Sequence, residues 1–551
     1  MINYFIPEGV TDLNYDEYEK ICTIENALMS IFKKEGYRQI KTPAFEYFDL
    51  FTESDNSMNT QDMYKLIDSS GKLMVLRPDA TIPIARMIAT QYKHSDGDVK
   101  LTYLTEVFRS ADFRAGEKRE FKQAGIEYFG ASSPEVDANI ITTAVNALNN
   151  AEFDELKTEL GDAGYFNGFT EALKVCEGFN SNELMNELKE LVETKNIPGL
   201  FEFTTKHNMP DALSAVLLRI PLLYGDIDKV LEKAYILSLN DQMKAAVENL
   251  RNIRDVLGKD FSLSADMGLV SRLEYYSGML FKIYLKNTGV IVGSGGRYDK
   301  LMNRFGKEIS AAGFGLNVDT LYESLQNVNH NEKCITIALG KGRLADITIE
   351  KLSASGIIFP EYNKQSRKLI FNDATGRFRI IFVKAVDVGI YVEKGACDIG
   401  IIGKDTLLES GSDVFELLDL GYGKCSFAIA APKGFSYDTG KKLIVATKYP
   451  NIATSYFAGF GRSIEIIKIN GSVELAPLVG LSDVIADIVE TGTTLKENGL
   501  TVIEKIADIS ARLIVNRAAL KTKDSEISKF IDILEKTVDN KNQNGNMQCE
   551  K

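Results

Sequence analysis

A polar break beyond the middle of this chain separates two stretches with different hydrophobic patterns. Residues 325–333 read Leu-Gln-Asn-Val-Asn-His-Asn-Glu-Lys and have no apolar periodicity. Segments of this kind connect domains and do not fill cores. A chain of 551 residues holds roughly two to four domains, each large enough for its own core. We therefore predict two main parts, residues 1–325 and 334–538, joined by a linker at 326–333, with a disordered polar tail at 539–551.

Composition excludes several classes of protein. Hydrophobic residues make up 44% and charged residues 26%, as in ordinary globular proteins. No apolar run is long enough to span a membrane, and no secretory leader is recognisable at the N-terminus. The six cysteines lack C-x-x-C spacing, which argues against zinc and against a disulfide framework. The net charge of −13 disfavours broad nucleic-acid binding. We expect a cytoplasmic protein without a membrane or nucleic-acid partner.

A strand pair with a long charged loop is predicted in the first part. Residues 101–109 and 121–129 have the pattern of a β-hairpin, and Gln123 and Glu127 share one strand face because side chains alternate with a period of two. A Gln and a Glu that point into the same interior need partners there. We therefore expect this face to bind a ligand that carries an ammonium or imidazole group.

A second group of polar residues follows another predicted strand. The segment 73–83 begins with apolar residues and ends with Arg77, Asp79 and Thr81. Polar side chains at the end of a strand are typical of binding sites, because loops carry such residues on a rigid scaffold. We predict that these three side chains contribute to the same site or to a neighbouring one.

Short motifs spread over about 320 residues of the first part carry a family resemblance. They are Thr42-Pro43, Leu76-Arg-Pro-Asp-Ala-Thr81, Phe108-Arg109, Arg119-Glu-Phe121, Gln123-x-Gly125-x-Glu127, Leu273-Glu-Tyr-Tyr276 and Gly295-Gly-Arg-Tyr-Asp299. Together and in this order they resemble the catalytic domain of histidyl-tRNA synthetases. The resemblance implies a class II synthetase fold, α+β, with a six- or seven-stranded antiparallel sheet. It also implies a histidine-binding pocket made of Asp79, Thr81, Arg109, Gln123, Glu127, Tyr275 and Tyr276.

Three positions depart from the synthetase pattern. Ser271 replaces an arginine that stabilises charge during adenylate formation, Thr320 replaces an arginine that stacks on ATP, and Ala111 replaces a glutamate. Without these groups, the first part resembles the histidine-sensing regulatory subunit of ATP phosphoribosyltransferase more than an active synthetase. A divergent synthetase that still charges tRNA remains the alternative.

In the second part, predicted strands alternate with predicted helices, which indicates an α/β architecture. The buried strand 335–339 leads into the basic turn Gly340-Lys-Gly-Arg-Leu344, which precedes a helix and suits a polyphosphate. A further cationic cluster contains Arg367. We predict catalytic roles for Lys341, Arg343 and Arg367, which would neutralise the charge of a leaving group.

A ten-residue stretch near the end of the second part combines an apolar run, two carboxylates, a glycine and several hydroxyl groups. Residues 484–489 suit a buried strand, and 495–499 suit one helical turn. The turn between them, Thr491-Gly492-Thr493-Thr494, offers backbone N–H groups and hydroxyls to a phosphate. Asp487 and Glu490 would face ribose hydroxyls or Mg²⁺.

About 200 residues of the second part resemble the short-form catalytic subunit of ATP phosphoribosyltransferase. The resemblance implies an α/β catalytic domain with two lobes of the periplasmic-binding-protein kind and an active site in the cleft between them. We place lobe I at 334–427 and 509–538 and lobe II at 428–508. The departures from the family pattern are small: Gly340, Lys384 and Gly389.

The two resemblances on one chain imply one function. Short-form catalytic subunits depend on a separate synthetase-like regulatory subunit, and here both occur together. The implied reaction is the first step of histidine biosynthesis, in which ATP and 5-phosphoribosyl 1-pyrophosphate give N1-(5-phosphoribosyl)-ATP and pyrophosphate with Mg²⁺ as cofactor and histidine as feedback inhibitor. Because the separate subunits form hetero-octamers, we expect a homo-oligomer. A two-lobed ligand sensor without catalysis remains a second alternative.

Overall fold

The computed structural model describes residues 6–52, 60–92, 97–110, 118–270, 276–286, 290–326, 334–437 and 441–546, with the backbone alone for 326 and 537–546. The chain divides into two compact units, Met1–His330 and Asn331–Lys551. The division falls inside the predicted linker 326–333, of which residues 327–333 lie outside the described residues. The same is true of Ala111, Ser271 and Tyr275. In the described part of the chain, no helix has the length and apolar character that a membrane span requires.

The first unit is built on a large mixed sheet and a small one. Its strands are β1 Arg38–Gln39, β2 Phe45–Tyr47, β3 Lys65–Ile67, β4 Leu73–Leu76, β5 Val99–Phe108, β6 Glu120–Gly130, β7 Leu156–Asp162, β8 Tyr224–Asp226, β9 Leu263–Asp266, β10 Met279–Leu285, β11 Val290–Arg297 and β12 Ser310–Asn317. The large sheet has the order β1-β5-β6-β12-β11-β10-β7-β9-β8, and β2-β4-β3 form the small sheet.

The centre of the large sheet is antiparallel from β5 through β6, β12, β11 and β10 to β7. These six strands agree with the expected six- or seven-stranded antiparallel sheet. The described sheet is nevertheless wider, with nine strands, because β1 adds to β5 in parallel at one edge and β9 and β8 extend the other edge. The predicted hairpin is confirmed as β5 and β6.

Helices cover both faces of this sheet. They are α1 Tyr15–Lys34, α2 Asp49–Thr52, α3 Thr81–Gln91, α4 Pro134–Asn150, α5 Ala163–Lys174, α6 Asn182–Glu193, α7 Ile197–Lys206, α8 Asp211–Leu217, α9 Ile227–Leu237, α10 Asp241–Leu257, α11 Asp299–Arg304 and α12 Val318–Gln326. The main core joins α1, α4, α10 and α12 to one face. A smaller core under α3 and α11 covers part of the opposite face.

The second unit contains two separate sheets. Its strands are β13 Ile335–Gly340, β14 Ile370–Asn372, β15 Phe378–Val383, β16 Ile399–Gly403, β17 Phe415–Asp419, β18 Cys425–Pro432, β19 Leu443–Thr447, β20 Ile464–Lys468, β21 Val484–Val489, β22 Leu500–Ile509 and β23 Ala511–Val515. Its helices are α13 Arg343–Ala354, α14 Val388–Glu393, α15 Lys404–Ser410, α16 Pro450–Gly459, α17 Leu475–Leu478, α18 Thr493–Glu497, α19 Ala519–Thr522 and α20 Asp524–Asn546.

The two sheets define two lobes. The first has the order β14-β15-β13-β16-β23-β17, and the second has the order β20-β19-β21-β18-β22. The chain enters the second sheet with β18 at Cys425, shortly before the expected boundary at 428, and returns to the first sheet after Ile509. The two-lobed α/β character is therefore present, while the likeness of these lobes to periplasmic binding proteins stays a prediction.

The C-terminal helix is longer than the sequence indicated. We expected a helix at 527–538 and a disordered tail from 539, but α20 runs from Asp524 to Asn546. The polar residues beyond 538 lack an apolar stripe, which is the signal by which an amphipathic helix is recognised. The prediction of disorder is therefore wrong as far as Asn546.

A buried ion pair fixes the edge of the large sheet. Lys195 is 1% exposed, and its ammonium donates hydrogen bonds to Asp266 Oδ1 at 2.9 Å and to the Pro221 carbonyl oxygen at 2.6 Å. The same ammonium lies 4.8 Å from the ring centre of Tyr224 on β8. Because Asp266 ends β9, this pair joins the helical region to the edge strands.

We expect Lys195→Met to lower the local free energy of opening by about 3–5 kcal/mol, because it leaves the Asp266 carboxylate buried without its cation. Hydrogen exchange of the full chain, followed by mass spectrometry on peptides from β8 and β9, measures this change. Lys174→Met is the matched control, since its pair with Glu171 is exposed and contributes about 0–1 kcal/mol. Equal exchange in the two variants would contradict a stabilising role for the buried pair.

Candidate functional site

Missing side chains on two central strands of the first unit make room for two polar side chains. Gly313 of β12 lies between Glu127 of β6 and Gly296 of β11, so all three positions share one face of the sheet. A Cβ atom added at Gly313 would lie 2.1 Å from Glu127 Oε2, and one added at Gly315 would lie 1.9 Å from Gln123 Nε2. Glycine is therefore required at both positions, and the two polar side chains occupy the space that a Cβ would fill.

Glu127 is the central member of the predicted pocket. It is 1% exposed, and its carboxylate accepts hydrogen bonds from Thr81 Oγ1 at 2.7 Å and from the hydroxyl of Tyr298. Burial raises the pKa of Glu127 to about 8, against the opposing effect of the two hydrogen bonds, and the nearby Asp79 raises it further. A cationic ligand would favour the ionised carboxylate and would compensate for its burial.

The other described members of the predicted pocket have contacts of their own. Asp79 accepts the backbone N–H of Ile82 at 3.0 Å and so caps the first turn of α3. Tyr276 lies over Gly296, where an added Cβ would be 2.9 Å from its ring. Arg109 is exposed, and its Nε donates to the Pro78 carbonyl oxygen at 3.4 Å, beside Asp79. Tyr275, the last predicted member, lies outside the described residues.

Tyr298 is the pocket residue that sequence reasoning missed. It belongs to the quoted motif Gly295-Gly-Arg-Tyr-Asp299, but no role was assigned to its side chain. Its hydroxyl donates to Glu127, and its ring packs edge to face against Tyr276 with 6.4 Å between the centres. The signal available in the sequence was an aromatic residue directly after a glycine-rich strand end.

Arg77 does not line the pocket, so its predicted part in the site is wrong. It is 2% exposed, and its guanidinium donates to the backbone oxygens of Thr42, Pro43 and Glu106 and to the hydroxyl of Thr105. Five donors on a planar group satisfy several carbonyls at once. Arg77 therefore joins the segment before β2 to β5, and its role is structural.

An ion-pair cluster occupies the position at which synthetases carry their ATP-stacking arginine. Beside Thr320, Asp319 accepts the backbone N–H of Lys122 at 2.6 Å and the ammonium of Lys118 at 2.9 Å. Lys118 also pairs with Glu323 at 2.7 Å. These contacts join β6 to α12, and a threonine side chain has no planar cation to stack on a nucleotide base.

In the second unit, the predicted cationic residues lie along one edge of the first sheet. The parallel strands β13 and β15 end together, because Gly340 pairs with Val383. Lys341 and Lys384 follow these two ends. Arg367 precedes β14, which runs antiparallel to β15, and therefore lies near the same edge. Gly342 has φ of +133°, a conformation that favours glycine, and α13 begins at Arg343 directly after it.

The predicted substrate loop follows the carboxyl end of β21 in the second sheet. The predicted strand is confirmed as β21 Val484–Val489, and the helical turn α18 begins at Thr493, two positions before the expected start. Gly492 has φ of +71°, so a residue with a side chain would be strained there. The hydroxyls of Thr491 and Thr493 lie 3.0 Å apart. Both Thr491 and Thr494 are exposed at the turn.

Contacts between the lobes bring the cationic edge and the substrate loop together. Arg343 Nη1 lies 2.6 Å from Glu490 Oε1, and both side chains are more than half exposed. Tyr449, which follows β19, donates its hydroxyl to Asp405 Oδ2 at 2.9 Å, and Asp405 follows β16. The carboxyl ends of parallel strands from both lobes therefore face a common cleft, where α/β sheets bind ligands. Sequence reasoning assigned no role to Asp405 or Tyr449.

Asp487 lies on β21 behind the loop. It is partly buried, and its Oδ1 accepts the backbone N–H of Ile488 at 2.8 Å. Burial raises the pKa of Asp487, and Glu474 and Asp405 add to this effect while Lys448 opposes it.

The carboxylates of the cleft can be compared with what magnesium bound through phosphates uses. Among the residues that the structure describes, no group of three or more His, Cys, Asp or Glu side chains could hold a metal ion by itself. Mg²⁺ in phosphate sites usually keeps several waters and uses one or two carboxylates together with substrate oxygens. Asp487 and Glu490, which are separated by two residues of one strand end, fit this kind of binding.

Two family profiles divide the chain as its two units do. Residues 9–321 match the profile described as histidyl-tRNA synthetase, and residues 384–536 match that of ATP phosphoribosyltransferase. The ATP phosphoribosyltransferase of Oceanobacillus iheyensis is 52% identical over 204 residues, which cover 37% of this chain and 98% of that protein. The ATP phosphoribosyltransferase regulatory subunit of Alkaliphilus metalliredigens is 36% identical over 324 residues, which cover 58% of this chain and 81% of that protein.

A solved structure supports the fold of the first unit. An ATP phosphoribosyltransferase regulatory subunit/histidyl-tRNA synthetase from Bacillus halodurans aligns with a TM-score of 0.54 and 26% identity, covering 70% of this chain and 93% of that one. The resemblances found in the sequence are therefore confirmed for both units. The chain belongs to the histidyl-tRNA synthetase family in its first unit and to the ATP phosphoribosyltransferase family in its second, and it is an ATP phosphoribosyltransferase of histidine biosynthesis that carries a regulatory-subunit-like domain.

Proposed function

We propose that the cleft of the second unit joins N1 of the adenine of ATP to C1 of phosphoribosyl pyrophosphate, and that histidine bound in the first unit inhibits this reaction. The observation that carries the first part is the 2.6 Å contact of Arg343 with Glu490, which sets the cationic edge of one lobe against the substrate loop of the other. A pyrophosphate-release assay with both substrates, with and without histidine, tests both parts.

The loop after β21 is the proposed cradle for the ribose phosphate. Thr491, Gly492, Thr493 and Thr494 supply backbone N–H groups and hydroxyls, which are good donors to a phosphate. Asp487 and Glu490 accept hydrogen bonds from the ribose hydroxyls. Because Glu490 is paired with Arg343 in the free protein, substrate binding exchanges this exposed ion pair for contacts to the substrate, at a cost of about 0–1 kcal/mol.

Charge neutralisation is the main task of the proposed reaction. A bond forms between N1 of the adenine and C1 of the ribose while the bond from C1 to pyrophosphate breaks, and the electron pair leaves with the pyrophosphate. Lys341, Arg343 and Arg367 stabilise this departing charge. Mg²⁺, when bound, would neutralise phosphate oxygens beside Asp487 and Glu490. The alkylated adenine loses a proton from its amino group to water, so no strong base is needed.

Arg343→Ala and Arg367→Ala should each lower kcat by about 10² or more, because each removes a donor to the charge that develops on the leaving group. Steady-state kinetics of pyrophosphate release measures the effect. Arg379→Ala is the matched control. Arg379 lies on β15 at the amino end of the strand, where it donates to Asn372 at 2.9 Å, and its variant should retain normal turnover. Near-normal turnover of Arg343→Ala would remove that residue from the reaction.

Asp487→Asn and Thr493→Ala should raise KM for phosphoribosyl pyrophosphate by about tenfold or more while changing kcat less, since they remove contacts made in both the ground and the transition state. Thr501→Ala on β22 serves as the control, because its hydroxyl donates only to the Ala431 carbonyl oxygen in the same sheet. If KM for this substrate is unchanged in both site variants, the loop after β21 does not bind it.

The proposed histidine site is the glycine-lined pocket of the first unit. Its central carboxyl group is buried without a charged partner among the contacts found, which are the hydroxyls of Thr81 and Tyr298. A ligand ammonium or imidazolium would supply the missing charge. Gln123 and Tyr276, on the same face, offer further polar contacts. The ion-pair cluster of Lys118 and Asp319 lies beside Thr320, where synthetases carry an arginine that stacks on ATP. This supports a binding role without aminoacylation, and we expect no detectable charging of tRNA.

Glu127→Gln should abolish histidine inhibition and leave uninhibited turnover unchanged. In the wild type, a proton must leave Glu127 before the carboxylate can pair with a cation, and its pKa is raised to about 8. Histidine affinity should therefore rise by up to about tenfold per pH unit between about pH 6.5 and 8 and level off above. Calorimetric titration across this range measures the slope, which Glu127→Gln should remove.

Glu120→Gln is the control for this experiment, since Glu120 begins the same strand but is exposed. Retained histidine inhibition in Glu127→Gln would place the effector site elsewhere. The expected homo-oligomer stays a prediction, and a mass measurement on the full chain in solution decides it.

A further inference from the structure

A cavity lies in the lobe of the second sheet, away from the cleft. Its volume is about 780 Å³, within the range of small-molecule sites. Its lining includes Lys442 and Arg462, which come shortly before β19 and β20. The strands β19, β20 and β21 are parallel. Their amino ends therefore lie at the edge of the sheet opposite to the one from which Glu490 and the substrate loop leave.

Aromatic rings form one wall of this cavity. The ring centres of Tyr456 and Phe460 are 5.1 Å apart, and Phe460 is 70% exposed. Tyr437, on the segment between β18 and β19, is 37% exposed. Exposed aromatic faces that line a cavity of this size provide a stacking surface for a flat ligand.

Cationic side chains surround the same opening. The Arg462 guanidinium lies 4.3 Å from the ring centre of Tyr437, where it stacks on the aromatic face. Lys441 and Lys442 also line the cavity and are exposed. Lys442 also pairs with Glu465 at 3.7 Å, but both side chains are more than half exposed, so this pair is weak. In a chain with a net charge of −13, the three neighbouring cations form a local site that attracts anions.

A carboxylate completes the lining. Glu504 of β22 shares this lining with Tyr437 and Tyr456, and burial first, followed by the nearby Glu504 carboxylate, raises the pKa of both tyrosines. A carboxylate has about four acceptor positions, so Glu504 retains capacity for hydroxyl or amino donors of a ligand.

We propose that this cavity binds a purine nucleotide, with the base on Tyr456 and Phe460, the phosphate on Lys441, Lys442 and Arg462, and the ribose hydroxyls on Glu504. Each part of the lining matches one part of such a ligand. An inorganic anion would leave the exposed rings unused, and a neutral aromatic compound would leave the cations unused. The site is separate from the cleft in which ATP reacts, so it adds a second nucleotide-binding position to the chain.

Photolabelling of the full chain with 8-azido-AMP, followed by peptide mapping, tests this inference. We expect label on the peptide that contains Tyr456 and Phe460, in addition to any label at the cleft, and we expect unlabelled AMP to suppress it. Arg462→Ala and the double variant Lys441→Ala, Lys442→Ala should each lower this labelling at least tenfold. None of these residues belongs to the proposed catalytic cleft, so turnover should remain within about twofold of the wild type.

Lys505→Ala is the matched control, because Lys505 is an exposed lysine of the same lobe that pairs with Asp508 and lies outside the cavity lining. Its labelling should equal that of the wild type. Label confined to peptides of the cleft would overturn the inference, as would unchanged labelling in the Arg462 and lysine variants. Suppression by inorganic phosphate as complete as that by AMP would reduce the cavity to an anion site and would also overturn it.

Discussion

The buried carboxyl group of Glu127 is the constraint on which the first unit depends. Removing an ionised carboxylate from water costs several kcal/mol unless a cation compensates, and here the hydrogen-bond partners found are hydroxyls. The folded-state pKa is raised to about 8, so the stability linked to this group is full below the ordinary range of a glutamate and is lost as the pH rises through about 8. The side chain fits at this position because Gly313 has no Cβ, which would lie 2.1 Å from Glu127 Oε2.

In the second unit, the electrostatic requirement is to bind polyanionic substrates. Its substrates are polyanions, and its proposed cations stand at the carboxyl edge of one sheet while carboxylates and hydroxyls stand at the carboxyl edge of the other. Arg343 and Glu490 pair across the lobes, so each charge is compensated before the substrate arrives. Because both side chains are more than half exposed, the pair contributes little stability and is exchanged at little cost. A deeply buried pair such as Lys195 with Asp266 could not serve in this way.

Local patterns in the sequence predicted the parts of both sites that lie within one element or one turn. The hairpin β5 and β6 followed from its period of two, and the substrate loop followed from an apolar run before a turn rich in Gly and Thr. Contacts between distant segments could not be predicted, because they depend on the order of strands in a sheet. Tyr298 reaches Glu127 across 171 residues of sequence, and Arg343 reaches Glu490 across 147.

Two errors show where a sequence pattern is ambiguous. A polar residue at a strand end gives the same pattern whether it faces a ligand or the backbone, and Arg77 proved to bind carbonyl oxygens. A polar segment without an apolar stripe reads as disorder, although the backbone of α20 stays helical to Asn546. Hydrophobic periodicity indicates which side chains are buried. It does not show which groups a buried guanidinium binds or where a solvent-exposed helix ends.

Joining the two units in one chain fixes their ratio at one to one, so the proposed regulation would not depend on the concentration of a separate subunit. It does not by itself create regulation, because a ligand shifts an equilibrium only by its difference in affinity between two states. Glu127 can supply such a difference in affinity. Burying its ionised carboxylate costs free energy, and pairing with a cation compensates for that cost. If ionisation of Glu127 is what distinguishes the two states, substrate binding in the second unit must change histidine affinity by the same factor by which histidine changes substrate affinity. When the carboxylate is replaced by an amide, the coupling is lost and both factors must then become one.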